Sequence, residues 1–247
     1  MKNFWRMVNK VIRDADVLLL LLDARLVDDT RNQEIENKVK ALGKPLIYVI
    51  TKCDLVPKEL LEKCRKVLKP CVIVSSTMHF GTTILRDRIL IEAKRAKAGK
   101  NIRVGVLGYP NIGKSSLINA MKGRHSAATS IVSGFTKAVQ EIRGDNRIMF
   151  LDTPGVIPYQ EKDRVKHTLI GTIDFNKSKD PEMAVIGLMT KFPGKIESFY
   201  GVLVQEDEDQ TIEEIALKRN MLIKGGKPDI VRTARMILKD WQKGLIL

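Results

Sequence analysis

Short apolar runs alternate with segments of helical length through the first two thirds of this 247-residue sequence. The runs predict strands at 17–23, 46–51, 71–75, 102–107, 138–143 and 147–152. Helices are predicted between several of these strands, at 30–42, 57–68, 82–97 and 113–122. Apolar runs of this length, separated by helical crossovers, are typical of a parallel sheet covered on both faces. We therefore predict a doubly wound α/β domain.

The pattern changes after the sixth predicted strand, where capped helical segments replace apolar runs. The segment 180–182, Asp-Pro-Glu, combines an N-cap residue, a proline at the first helical position and an acid in the first turn. Thr211 and Glu214 have the spacing of a capping box and predict the start of another helix. We predict an α/β domain at 1–175 followed by a small α-helical domain at 176–247.

Composition and charge narrow the classes of function. The apolar run at 17–22 is far shorter than the ~20 residues that a membrane span needs, and the start of the chain lacks the pattern of a signal peptide. We expect a cytoplasmic protein without a membrane partner. The three cysteines lack CxxC spacing, so neither a disulfide framework nor a zinc site is predicted. The net charge of +14 favours a polyanionic partner, but charge alone does not choose between RNA, DNA and acidic lipid.

Residues 108–115, GYPNIGKS, match the phosphate-binding loop (P-loop) pattern and lie between a predicted strand and a predicted helix. In such a loop, backbone N–H groups close around the phosphates. Lys114 would contact the β and γ phosphates, and the Ser115 hydroxyl would bind Mg²⁺. The alternative is a tight strand-to-helix turn without a ligand. The predicted nucleotide-binding residues here are Asn111, Ile112, Gly113, Lys114, Ser115 and Ser116, with Lys114 and Asn111 also predicted to be catalytic.

Residues 152–155, DTPG, end the predicted strand 147–152, so the Asp152 carboxylate is expected at the carboxyl edge of the sheet, where such folds bind ligands. We predict that Asp152 binds or bridges to Mg²⁺ and that Gly155 belongs to the nucleotide site. Between the two motifs, residues 126–137 are polar or small, as in a mobile switch loop. Thr136 is predicted to complete the Mg²⁺ coordination and to sense the γ-phosphate during catalysis. The alternatives for this role are Thr129, Ser130 and Ser133.

Residues 51–54, TKCD, follow the predicted strand 46–51 and resemble the guanine-reading NKxD motif of GTPases, with threonine in place of asparagine. The Asp54 carboxylate can accept two hydrogen bonds from guanine N1 and its exocyclic amino group, whereas adenine has no such pair of donors. The stem of Lys52 is expected to lie over the base and its ammonium to reach the P-loop. A solvated strand end is the alternative. The predicted base-side residues are Thr51, Lys52 and Asp54, together with Ser75, Ser76 and Thr77 in the next loop, whose backbone N–H groups would support the base.

In chain order, the motifs TKCD, SST, GYPNIGKSS, SGFTK and DTPG make the sequence resemble the circularly permuted GTPases of the YlqF/RbgA and YawG type over about residues 10 to 155. In ordinary GTPases the P-loop comes first. The resemblance implies a monomeric switch that binds GTP and GDP with Mg²⁺, hydrolyses GTP and acts in large ribosomal subunit assembly. Its partner would be a large-subunit precursor, contacted through rRNA, ribosomal protein or both.

In this family the C-terminal helical domain helps to engage the ribosomal particle, which suggests a role for the basic face of a predicted helix from Asp229 to Lys243. Ordinary solvation of a helix is an equally good interpretation. The opposite face carries Ile230, Ala234, Ile237, Leu238 and Trp241 at helical spacing. The residues of the basic face are Arg232, Arg235, Lys239 and Lys243.

The resemblance also implies slow hydrolysis. Val156 follows DTPG, at the position where many GTPases have a glutamine that orients water, and a valine cannot do this. In similar proteins an asparagine at the position of Asn111 helps to coordinate K⁺, so a K⁺ requirement is expected. RbgA-like members carry an N-terminal histidine, but the histidines here are His79, His125 and His167, all after the first strand.

Two other classes of function compete with a GTPase switch in ribosome assembly. An ATP-using P-loop enzyme would share the phosphate site, although Asp54 argues against it. A nucleic-acid-binding module with a merely structural nucleotide site would bind RNA regardless of nucleotide. A GTPase that acts on another RNA or nucleoprotein is the nearest variant of the leading hypothesis.

Overall fold

The computed structural model describes residues 2–122, 139–158 and 161–246. The chain forms two compact units, Met1–Glu161 and Lys162–Leu247. The first is α/β and the second is α-helical, which agrees with the predicted fold class. The division comes before residue 175, where the sequence had placed it, because a helix at Arg164–Leu169 packs against later helices of the second unit.

The first unit contains a six-stranded sheet with the strand order β3-β2-β1-β4-β6-β5. The strands are β1 (Val17–Asp23), β2 (Leu46–Thr51), β3 (Cys71–Ile73), β4 (Ile102–Leu107), β5 (Gln140–Arg143) and β6 (Ile148–Asp152). All neighbours pair in parallel except β5, which runs antiparallel to β6. Every residue of β1 is buried, because this strand has a neighbour on each side and helices over the sheet. The carboxyl ends of the five parallel strands therefore share one edge.

Among its described residues, the first unit has six α-helices: α1 (Lys2–Asp14), α2 (Val27–Thr30), α3 (Gln33–Ala41), α4 (Lys58–Val67), α5 (Thr82–Arg95) and α6 (Lys114–Met121). The helix predicted at 30–42 corresponds to α3, and the short α2 before it was not predicted. Asn32 separates them, since its side chain accepts a hydrogen bond from the Ile35 N–H and caps α3. Asparagine is favoured at such an N-cap position, which fixes the start of α3.

Helix α1 was not predicted, although its apolar residues recur at helical spacing. Trp5, Val8, Val11 and Ile12 are buried in the core of the first unit. The helix lies against β4 at Gly105, where an added Cβ would come within 2.8 Å of Val11 Cγ1. Arg6 and Lys10 lie between these apolar positions and are exposed, as the polar face of an amphipathic helix requires.

The second unit consists of α7 (Arg164–Leu169), α8 (Pro181–Lys191), α9 (Lys195–Tyr200), α10 (Glu208–Lys218) and α11 (Ile230–Gln242). Helix α8 begins at Pro181, as predicted. The predicted capping box at Thr211 is wrong, because α10 begins at Glu208 and the Asp207 side chain caps it by accepting from the Asp209 N–H. Thr211 is instead buried inside the helix. Within the described ranges, no helix is long and apolar enough to cross a membrane.

Helix α11 follows the predicted pattern closely. Its N-cap Asp229 accepts a hydrogen bond from the Arg232 N–H. Ala234, Ile237, Leu238 and Trp241 are buried, and the indole N–H of Trp241 donates to the Leu169 carbonyl at 2.8 Å. The apolar face of α11 therefore forms the core of the second unit.

Candidate nucleotide-binding site

The motifs that follow the parallel strands meet at the carboxyl edge of the sheet. TKCD begins at the last residue of β2, the P-loop follows β4, and DTPG begins at the last residue of β6. Strands β4 and β6 are neighbours, whereas β1 lies between β2 and β4. The phosphate-side motifs are thus adjacent, and the base-reading motif lies two strands away from the P-loop. Ligands of doubly wound folds bind at this edge.

The P-loop, residues 108–115, has the backbone that its glycines predict. Gly108, Asn111 and Gly113 all have positive φ angles, of 145°, 59° and 102°. An added Cβ at Gly108 would lie 3.0 Å from the carbonyl oxygen of Leu21, so the close approach of the strands also requires glycine. Helix α6 then begins at Lys114. Its first N–H groups point toward the loop, which suits an anion.

Lys114 is buried within the loop. Its Nζ donates to the Tyr109 carbonyl at 2.7 Å, with a weaker contact to the Gly108 carbonyl at 3.4 Å. Burial lowers the pKa of Lys114 to about 8, and the nearby charge of Asp152 opposes this shift only partly. The ammonium is therefore held by loop carbonyls that phosphate oxygens could replace.

Ser115 and Asp152 lie together. The Ser115 hydroxyl donates to Asp152 Oδ2 at 2.9 Å, and the Asp152 side chain is buried. A hydroxyl and a carboxylate are the hard oxygen donors that Mg²⁺ prefers, and Mg²⁺ sites typically add substrate phosphates and water to one or two protein ligands. In the described part of the chain, no cluster of three or more His, Cys, Asp or Glu residues could hold a metal without such help.

The predicted third magnesium ligand falls in a part of the chain that is not described. Thr136 and its alternatives, Thr129, Ser130 and Ser133, lie outside the described residues, as does the rest of the predicted switch loop at 126–137. Ser116, by contrast, lies in the first turn of α6 and is half-buried.

The DTPG segment packs directly on the P-loop. An added Cβ at Gly155 would lie 2.2 Å from the Pro110 nitrogen, and the Val156 N–H donates to the Gly108 carbonyl at 3.1 Å. The Val156 side chain is only 3% exposed and belongs to the apolar core cluster that includes Leu151. Val156 is thus a packing residue, which agrees with its inability to orient water.

Thr51 connects the base-reading loop to the P-loop. Its hydroxyl lies 3.1 Å from the Ile112 carbonyl oxygen and 3.0 Å from that of Leu22, and its single proton can go to one of them at a time. Ile112 itself is buried. The threonine that replaces asparagine in this motif therefore links the base-reading loop to the P-loop through its hydroxyl.

Asp54 is in a short 3-10 turn at Cys53–Leu55, and it is exposed. The Cys53 N–H donates to the Val74 carbonyl at 3.3 Å, which ties this turn to the end of β3. The Asp54 carboxylate is accessible at the edge of the sheet, as reading a base requires.

The loop after β3 closes on itself. Ser75 is buried, its hydroxyl lies 3.0 Å from that of Thr77, and it accepts a hydrogen bond from the Met78 N–H at 3.2 Å. Ser75 also pairs with Phe80 through two backbone hydrogen bonds. The side chains of Ser75 and Thr77 thus shape the loop, while Ser76 is half-buried beside them.

Lys52 was expected to reach the P-loop, but the structure brings it to the end of β1. Lys52 Nζ donates to Asp23 Oδ2 at 2.8 Å instead. Asp23 ends β1 and is fully buried, so it offers the ammonium a full opposite charge rather than a carbonyl dipole. Sequence reasoning missed Asp23 and its partner Arg25, although Asp23 ends an apolar run in the same way as Asp152.

The pKa of Lys114 leads to a prediction about pH. Nucleotide binding is expected to weaken above about pH 8, because phosphate oxygens favour the charged form that the free protein has by then lost. The affinity should fall by up to about tenfold per pH unit. Titrations of GDP binding between about pH 7 and about pH 9 measure this dependence.

A Lys114→Arg variant provides the control, because a guanidinium keeps its proton over this range. Its affinity is expected to be lower but independent of pH. An equal slope in both proteins would assign the pH dependence to another group.

Comparison with known families agrees with this geometry. A family model described as "50S ribosome-binding GTPase" matches residues 103–223. The match begins in β4, before the P-loop, and leaves out the TKCD segment. The matched range contains the P-loop and DTPG, whereas TKCD comes earlier in the chain.

Relatives extend over nearly the whole chain. An uncharacterized GTP-binding protein from Methanocaldococcus jannaschii is 41% identical over 97% of this chain and 65% of its own length. Nucleolar GTP-binding protein 2 from Saccharomyces cerevisiae is 33% identical over 99% of this chain and 52% of its own length. This chain therefore spans between about half and about two thirds of these two relatives.

Solved structures show the same fold. GNP-bound YlqF from T. maritima superposes with a TM-score of 0.65 at 21% identity, covering 98% of this chain and 94% of that one. The GDP-bound structure of YlqF gives 0.64 at 21% identity over 96% and 94%. Fold and site together define a P-loop GTPase in which base recognition precedes the P-loop. In fold and in sequence the chain is similar to the circularly permuted GTPases of the YlqF type.

Proposed function

We propose that this protein is a GTP-binding and GTP-hydrolysing switch that acts in large ribosomal subunit assembly. The observation that carries the proposal is one sheet edge with both halves of a guanine-nucleotide site. Asp54 is exposed after β2, and Thr51 connects that loop to the P-loop backbone at Ile112. Lys114, Ser115 and Asp152 line the phosphate side.

In the proposed reaction, water attacks the γ-phosphate in line with the bond to the leaving GDP. Lys114 would exchange its loop carbonyls for phosphate oxygens and stabilise their charge. Ser115 and Asp152 would hold Mg²⁺, which would neutralise charge on the β and γ phosphates. Thr136 is proposed as the further ligand that senses the γ-phosphate.

Hydrolysis is proposed to be slow without help, because the buried Val156 cannot orient water. Asn111, in the middle of the P-loop with a positive φ, is proposed to help coordinate K⁺ near the phosphates. A cation there would add positive charge in the transition state.

A ribosomal target is supported by the description of the matching family and by the nucleolar names of several relatives. The net charge of +14 suits RNA. Arg232 and Lys239 on α11 and Lys243 directly after it are exposed, as expected of a basic face, but Arg235 is half-buried. The contact with rRNA, ribosomal protein or both is therefore proposed for the three exposed residues.

A basic hairpin that sequence reasoning missed precedes α11. Leu222 pairs with Pro228, the Ile223 N–H donates to the Lys227 carbonyl at 2.8 Å, and Gly225 has the positive φ of a tight turn. Lys224 and Lys227 are exposed beside this turn. We include both lysines in the proposed RNA-binding surface, because a turn fixed by backbone hydrogen bonds presents their charges to a phosphate backbone at little entropic cost in the main chain.

Neutralising the hairpin is expected to weaken binding to purified large ribosomal subunits. In a Lys224→Gln/Lys227→Gln protein, the slope of log K against log salt should become shallower by roughly 1.4 to 1.8, the value for two lost phosphate contacts. Sedimentation with a non-hydrolysable GTP analogue at several salt concentrations measures it. The matched control is Lys63→Gln/Lys66→Gln on the exposed side of α4. Equal effects of both pairs would contradict a specific role for the hairpin.

The decisive experiment measures GTP turnover with and without large ribosomal subunits, in K⁺ and in Na⁺. We expect slow turnover by the protein alone and faster turnover when subunits and K⁺ are both present.

Two companion measurements test the other parts of the proposal. In a competition assay, GTP should displace bound GDP and ATP should not, and equal competition by ATP would refute guanine specificity. In a sedimentation assay, binding to subunits that is equal with GDP and GTP would refute the switch. We further propose that the protein acts as a monomer in the cytoplasm.

A further inference from the structure

Asp23 occupies the centre of the nucleotide-binding edge, yet the proposed reaction does not use it. It is the last residue of β1, the strand between β2 and β4. The base-reading TKCD segment therefore lies on one side of Asp23 and the P-loop on the other. Its side chain is fully buried, and a buried carboxylate must have compensating partners.

Both carboxylate oxygens of Asp23 accept two hydrogen bonds. Oδ1 accepts from the backbone N–H and the Nε–H of Arg25, each at 3.0 Å. Oδ2 accepts from Nη2 of Arg25 at 2.9 Å and from Nζ of Lys52 at 2.8 Å. Burial by itself would raise the pKa of this carboxyl, but the hydrogen bonds and charges of Arg25 and Lys52 outweigh it and hold the pKa well below its usual range.

Lys52 is constrained at both ends. Its backbone has a φ of 56°, a left-handed conformation that non-glycine residues seldom adopt. Its ammonium is fixed by Asp23, while its side chain keeps 28% of its surface exposed. The aliphatic stem between these two ends is therefore immobilised next to Thr51, within two residues of the exposed Asp54.

We propose that Asp23 is a positioning residue for guanine binding, which holds Lys52 so that its stem forms a fixed platform for the base while Asp54 reads the base edge. Arg25 in turn holds Asp23 through a two-pronged hydrogen bond. This proposal rests on the proposed GTP-binding function. A stem that is already ordered loses little rotamer freedom when the base arrives, so Asp23 contributes to affinity without touching the nucleotide.

The test is a double-mutant cycle on the affinity of the full chain for GDP, with Asp23→Asn, Lys52→Met and the double variant. Asp23→Asn is expected to weaken GDP binding roughly tenfold in the wild-type background, and by less than about twofold in the Lys52→Met background, where no ammonium remains to be held. Equal losses in both backgrounds would overturn the proposal, because Asp23 would then act independently of Lys52.

Two further variants keep the test decisive. Asp28→Asn removes an exposed carboxylate from α2 and is expected to leave GDP affinity unchanged. If Asp23→Asn does not fold, Arg25→Lys replaces it in the cycle, because it keeps the charge but loses the two-pronged bond. Arg25→Lys should cause a smaller loss of GDP affinity than Asp23→Asn, and this loss should also disappear in the Lys52→Met background. A loss of GDP affinity that persists in that background would overturn the proposal. A wild-type chain that binds ADP as tightly as GDP would instead refute the guanine-nucleotide function.

Discussion

Replacing Asp54 by asparagine is expected to weaken GDP binding by roughly 100-fold, which corresponds to about 3 kcal/mol. The exposed carboxylate can accept hydrogen bonds from guanine N1 and its exocyclic amino group, whereas an amide in that place presents its own N–H group to one of these donors. The same amide can donate to the carbonyl that xanthine carries instead of the amino group. The variant should therefore prefer XDP to GDP, as competition titrations of the two nucleotides would show.

Asp87→Asn is the matched control for Asp54→Asn, because it makes the same chemical change at an exposed position of α5. Its nucleotide preference should equal that of the wild type. An Asp54→Asn protein that still binds GDP tightly and does not gain affinity for XDP would show that this carboxylate does not read the base.

Replacing Gly155 by alanine is expected to abolish tight nucleotide binding. The new Cβ would lie 2.2 Å from the nitrogen and 2.3 Å from the Cα of Pro110, distances that no real contact allows. DTPG and the P-loop would have to separate, which would displace the backbone that closes around the phosphates. We expect the affinity for GDP to fall by roughly 100-fold or more, since strain of about 3 kcal/mol or more must be relieved. Equilibrium binding of a fluorescent GDP measures this loss.

The control for Gly155→Ala is Gly99→Ala, where an added Cβ meets no atom within 4 Å and the backbone is not left-handed. The free energy of unfolding without nucleotide should be measured for both variants. Wild-type GDP affinity in a folded Gly155→Ala protein would mean that the two segments need not be in contact when nucleotide binds.

Much of the site could be predicted because its motifs are local. The P-loop glycines, the buried acid at the end of β6 and the acid after β2 are each visible in a window of a few residues. The apolar face of α11 was predicted for the same reason, since a helical period needs no knowledge of distant residues.

The sequence-based predictions were wrong where two residues compete for the same helix cap, or where the direction of a strand depends on a neighbour elsewhere in the chain. Thr211 and Glu214 have the spacing of a capping box, but Asp207, four residues earlier, caps the helix and Thr211 is buried. Strand β5 lies within a predicted strand, but its antiparallel direction depends on the neighbour with which it pairs. Neither outcome is determined by the segment alone.

The sequence by itself determined the α/β class, the permuted order of the motifs and the chemical groups available to a guanine nucleotide, because these follow from local periodicity and short patterns. Only the tertiary structure decided which groups meet. Lys52 bonds to Asp23, 29 residues earlier in the chain, and Gly155 packs on Pro110. Both contacts follow from the order of strands in the sheet, which brings together the ends of β1 and β2 and those of β4 and β6.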